Sequence, residues 1–196
     1  AAKDGDVAML ASLLQVEPAL LLYRGKGTKD AVIGNTALHW AASHGHVDCV
    51  ECLIEYGSDI HALNNGDTTP LGTAVQKAQH ECASTLLAAN ADVNQTDNFG
   101  DKPLKLACRD GHLRIVQLLS SYGASRAATP FGTPEAIANR EGHADLAAWL
   151  VASRGWTPLQ HLEACPRLAA EGVSALSSRP LPLFRRRSPS SGRGRC

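Results

Sequence analysis

Cysteine and histidine invite the first chemical reading of this chain. Cys49-x-x-Cys52 has the spacing of a redox dithiol or of half a zinc site, and His44-Gly45-His46 sets two imidazoles close together among eight histidines. Asp97 with Asp101, and Glu51 with Glu55, pair carboxylates as a general acid and base would require. Each chemistry needs further partners, and the sequence does not supply them. A second cysteine pair at zinc-finger spacing is missing, no Ser/His/Asp or Cys/His set is suggested, and no glycine-rich loop could cradle a phosphate. No catalytic residue, cofactor or metal ligand is therefore expected, and the chain is read as other than an enzyme.

The elements that would have to position these residues explain why. Gly34-Asn35-Thr36-Ala37-Leu38-His39-Trp40-Ala41-Ala42, followed by Gly45-His46, returns after 33 residues as Thr69-Pro70-Leu71 with Ala74. It returns again as Lys102-Pro103-Leu104 with Ala107 and Gly111-His112, and 31 residues later as Thr133-Pro134 with Ala138 and Gly142-His143. Thr caps a helix, and Pro suits the first helical position because no N–H is needed there. The alanines let this helix lie close to its neighbours, and the glycine breaks the chain before a second helix. That second helix shows a helical apolar face: Val47, Val50, Leu53 and Ile54 in one copy, Leu113, Val116, Leu118 and Leu119 in another. In this register Cys49 and Cys52 match Ile115 and Leu118, so both are expected in the core as small hydrophobes. Glu51 and Glu55 fall on a solvated face. His46, His112 and His143 share one repeat position, whereas His44 lies off it and faces solvent.

These residues resemble the ankyrin-repeat family over about residues 34–152: Thr-Pro-Leu-His, Gly-His, a Leu-Leu run and Asn90-Ala91-Asp92-Val93-Asn94. The resemblance implies an all-α solenoid of stacked helix pairs with β-hairpin-like fingers, about four repeats between degenerate caps. Repeats are expected at about 34–66, 67–99, 100–130 and 131–154, after a partial unit over 1–33 and before a worn cap over 155–173. The copy near Thr69 departs from the pattern, with Ala78 for Gly, Gln79 for His and Gly72 where His39 stands; the last copy has Glu135 for Leu. The family resemblance also implies that the repeated histidines bond locally and tie adjacent units, and that His39 bonds backbone near a finger.

A repeat body of this kind implies a protein-interaction scaffold or adaptor. The residues its packing does not use are the candidate partner contacts. At the finger tips these are Asn65, Asp67, Asn98, Phe99, Asp101 and Phe131; at the ends of the first helices, Ser43, His44, Lys77, Arg109 and Asp110. Phe99 and Phe131 each precede a repeat glycine, and two readings stand for them: anchors for a partner, or packing of one finger on the next. Trp40 is assigned to packing between units.

The net charge of zero hides an asymmetry, because the last 23 residues carry six Arg and no acid. Their Ser/Pro/Arg composition predicts a disordered tail over 174–196. Arg185-Arg186-Arg187 beside Phe184 sets the alternative function, an electrostatic binder of nucleic acid or anionic lipid, and Ser188 resembles a phosphorylation site. No apolar stretch approaches a membrane span, and scattered cysteines suit a reducing compartment, so a monomer in the cytoplasm or nucleus is expected. The chain opens Ala-Ala-Lys without Met, so a fragment that has lost a preceding signal or catalytic domain is a third reading.

Overall fold

In a computed structural model, the structure describes residues 1–24, 34–128, 132–158 and 160–161. The end of the partial unit expected over 1–33 lies outside these residues. So do Phe131, Cys165, Cys196, Ser188, the greater part of the cap and the whole tail.

Among the described residues the regular elements are helices: α1 (Val7–Val16), α2 (Ala37–His44), α3 (Val47–Glu55), α4 (Pro70–Gln76), α5 (His80–Ala88), α6 (Pro103–Arg109), α7 (Leu113–Ser121), α8 (Pro134–Arg140) and α9 (Ala144–Ala152). A short 3₁₀ turn, Pro18–Leu22, follows α1. The pairs α2/α3, α4/α5, α6/α7 and α8/α9 are the expected units. The first helices α2, α4, α6 and α8 stack in chain order, with α1, α3, α5 and α7 behind them.

Side-chain size divides the labour between the two rows. Ala41, Ala42, Ala74, Ala107 and Ala138 of the first helices are fully buried, so those backbones approach closely. The second helices supply bulk through Leu53, Leu86, Leu119 and Leu150, one per unit and each without exposure. Leu38, Leu71 and Leu104 form a third ladder whose fourth rung is Glu135. That carboxylate is buried, and its Oε1 accepts from Arg154 Nη2 at 3.2 Å, which partners the charge. Cys49, Cys52, Cys82 and Cys108 are free thiols inside this core. Burial pushes Cys82 and Cys108 up to about 12, far from a reactive thiolate.

The fingers are tight turns, and no strand forms in the described residues. Asn64 N–H donates to Thr68 O at 3.1 Å and Asp97 N–H to Asp101 O at 3.1 Å, one closing bond in each finger. Successive tips touch where Asn98 N–H donates to Gly66 O at 3.1 Å. At the far end Arg126 lies over the Trp149 ring at 5.2 Å and donates to the Leu150 and Ser153 carbonyls. Trp149, Trp156 and His161 cluster beside it, and Thr157 and Gln160 exchange cap bonds near the start of the worn cap expected from residue 155.

Units are tied at a repeated junction. His46 Nε2 bonds the Lys3 carbonyl at 3.1 Å, and His143 Nε2 bonds the Arg109 carbonyl at 3.1 Å. Gln79, standing at the histidine position, donates to the Ser43 carbonyl at 3.4 Å. Each of these side chains lies over the glycine of the preceding unit. A Cβ on Gly5, Gly45 or Gly111 would come within 2.8 Å, 2.5 Å and 2.5 Å of His46, Gln79 and His143 respectively. At the remaining junction Ala78 occupies the glycine position with φ +57°, and His112, which should cover it, makes no such bond among the described residues. An alanine there combines left-handed strain with a methyl where the ring would sit. Ala78→Gly is therefore expected to stabilise the chain by about 1 kcal/mol, net of the entropy glycine adds to the unfolded state. Thermal melting checks this, and a further His112→Ala change should remove part of the gain.

Candidate protein-binding groove

The first helices and the fingers enclose an open groove of about 540 Å³ on one side of the stack. Its floor comes from α4, α6 and α8 through Gln76, Leu106, Arg109 and Arg140, and its rim from the 97–101 finger. The finger is held in shape by Asp97, whose Oδ1 accepts the backbone N–H groups of Phe99 and Asp101, both at 2.9 Å. Asp101 in turn pairs with Lys105. This rigid tip carries Phe99, whose ring is 79% exposed, so its side chain is not spent on finger-to-finger packing.

Of the candidate partner contacts, the structure brings Asn98, Phe99, Asp101 and Arg109 together in this one groove. Asp110 flanks it and is engaged by Arg109, with Nε at 2.8 Å and Nη2 at 3.2 Å. Asp67, in the left-handed region at φ +52°, opens on a narrow neighbouring cleft with Asp97 and Asp101. Asn65 is an exposed finger residue, and Lys77 is exposed at the C-cap of α4. Ser43 and His44 lie farther along, at the end of α2. His44 bonds the Trp40 carbonyl at 3.0 Å and stacks on His46 with ring centroids 6.0 Å apart. Trp40 packs between units as expected: Lys3 of the preceding unit sits 4.7 Å from its ring centroid.

Gln76, Lys105, Leu106 and Arg140 belong to the groove but were not among the candidates. Their signal was present in the register. Gln76, Arg109 and Arg140 occupy the same position in three successive units, so following Arg109 along the repeat would have found the other two.

His39 is fully buried beneath the 64–68 finger. Its Nδ1 accepts from the Thr36 N–H at 3.2 Å, and its Nε2 bonds the Thr68 carbonyl at 2.9 Å. It thus completes a capping box for α2 and ties that helix to the next finger. Burial holds this imidazole below its ordinary value of 6.5. Among the described residues no three or more His, Cys, Asp or Glu side chains converge as metal ligands would, and no helix is long and apolar enough to cross a membrane.

Stacked helix pairs with turn-built fingers and an open lateral groove define a repeat protein of the protein-interaction class. A family model of ankyrin repeats in three copies matches residues 1–97 and 87–165, and the chain belongs to the ankyrin-repeat family. It is 36% identical over 120 residues to a probable E3 ubiquitin-protein ligase of rice, XBOS32, a match that covers 61% of this chain and 23% of the relative. It is 38% identical over 89 residues to zebrafish ankyrin repeat and SOCS box protein 11, covering 45% of this chain and 30% of the relative. With human protein phosphatase 1 regulatory subunit 27 the identity is 37% over 85 residues, covering 43% and 54%. The chain thus spans less than a quarter of the length of the ligase it matches.

Proposed function

We propose that this array is a scaffold or adaptor that holds a partner protein in the groove between the finger tips and the first helices. One observation carries the reading: an exposed aromatic ring on a finger whose backbone is locked by its own hydrogen bonds. A preformed surface of this kind loses little conformational freedom on binding, and a rigid aromatic anchor gives large contact area at small entropic cost. Among the relatives are proteins named as ubiquitin ligases and as a phosphatase regulatory subunit. In such an assembly the segment shared with this chain would select the protein to be acted on.

The test is capture of a partner by the full chain compared with its Phe99→Ala variant. Affinity should fall by about tenfold or more, the loss expected for a hot-spot aromatic. Helical content and melting temperature should stay unchanged, because the ring makes no core contact. Undiminished affinity with an intact fold would refute the assignment.

A further inference from the structure

We infer that the groove is built for an acidic segment of a partner, an extended peptide whose Asp or Glu side chains meet Arg109 and Arg140 while an apolar side chain covers Phe99. The inference rests on the groove being the binding surface, and it adds the chemistry of what binds. Charge that is already engaged and charge that is free can be separated here atom by atom. The lining holds two acids, and both serve the finger: Asp97 accepts two backbone N–H groups and Asp101 pairs with Lys105. The two guanidiniums are only partly engaged. Arg109 uses Nε and Nη2 on Asp110, and its Nη1 has no partner among the described residues. Among the described residues Arg140 uses Nε alone, on Glu141 at 3.1 Å, and neither terminal nitrogen has a partner.

Asp110 and Glu141 stand outside the groove lining, so these acids orient the arginines from the side and do not fill the groove. Arg140 thus keeps its Nη1/Nη2 fork and Arg109 its Nη1, and the two guanidiniums, at one repeat position on neighbouring helices, face a common space. A guanidinium fork matches a carboxylate in two parallel hydrogen bonds, a geometry that Lys cannot reproduce. The groove also lies open along three units, which suits an extended chain better than an enclosed small molecule. With three cations against two acids in the lining, a few carboxylates suit it better than a polyphosphate backbone.

The experiment selects random peptides of about a dozen residues, displayed on phage, against the full chain. Enriched peptides are then measured on the parent, Arg109→Gln/Arg140→Gln, Arg109→Lys/Arg140→Lys and Phe99→Ala chains. Enriched sequences should combine acids with an aromatic or aliphatic residue, and their affinity should fall as salt rises. The double Gln variant should lose about tenfold or more, and the double Lys variant an intermediate amount, since charge remains but the fork is gone. Both arginines are exposed, and circular dichroism should show unchanged helicity in each variant. Enrichment without acids, no enrichment at all, or indifference to both arginine pairs overturns the inference. Peptides that depend on Phe99 but not on the arginines would leave the groove as the binding surface and remove only its acidic preference. Independence from all three residues would remove both.

Discussion

His39→Ala should lower the stability of the chain by about 3 kcal/mol, the sum expected from a cavity under the finger and a buried N–H left without its acceptor. The imidazole has no exposed surface, so its removal leaves a void that water cannot readily fill. The Thr36 N–H loses the Nδ1 acceptor that closes the capping box, and α2 loses its tie to the Thr68 carbonyl. Thr68 O keeps the bond from Asn64 N–H, so the 64–68 turn survives while its docking loosens. For a domain of this size the melting temperature should drop by roughly 6–12 °C. His39→Asn, which can rebuild one of the two bonds, should lose less. A melting temperature within about 2 °C of the parent for the Ala variant would show that the network adds little.

The same residue gives stability a pH dependence of definite sign. Burial depresses the folded-state pKa of His39 below 6.5, so in acid the unfolded chain binds a proton that the folded chain refuses. Stability from this group is complete above the unfolded value and is lost as pH falls from there toward the folded pKa. Equilibrium unfolding should therefore weaken between neutral and mildly acidic pH. The slope should shrink in His39→Ala but persist in part, because burial also depresses His161.

Gly111→Ala should cost about 2–3 kcal/mol, from left-handed strain together with a lost junction bond. Gly111 sits at φ +78°, and a Cβ there would lie 2.5 Å from the His143 ring. The ring would have to leave, and with it the Nε2 bond to the Arg109 carbonyl. The native chain already contains a counterpart, since Ala78 stands at this position one unit earlier and His112 makes no junction bond among the described residues. Opposite shifts in melting temperature for Gly111→Ala and Ala78→Gly are the result to look for. Equal and negligible shifts would show that the junction is soft enough to absorb a methyl.

Repetition made the fold legible. A helical face written once is ambiguous, but the same face written at spacings of 33, 33 and 31 residues separates what the fold requires from what a single unit adds. That comparison placed Cys49 and Cys52 in the core, set His46, His112 and His143 at one position, of which His46 and His143 make the junction bond, and left Phe99 between an anchor and finger packing. It said less about side chains whose partners lie in another unit. Arg126 reads as one charge in a finger, yet it reaches carbonyls 24 and 27 residues away and lies over Trp149. Glu135 reads as a defect in a leucine ladder until Arg154 is seen beside it.

By itself the sequence determined the helix pairs and the core, because both follow from spacing along the chain. Only the tertiary structure decided which exposed residues share a surface. It gathered Asn98, Phe99, Asp101 and Arg109 with the unremarked Gln76, Lys105 and Arg140, and left Ser43 and His44 farther along the stack. It also decided which charges are engaged, for Asp97 and Asp101 serve their own finger while Nη1 of Arg109 and both terminal nitrogens of Arg140 have no partner among the described residues. The physical reason is one of range. Periodicity and capping act within one helix and its immediate neighbour, whereas a groove is the space left when three units stack, and hydrogen-bond directions exist only after they have stacked.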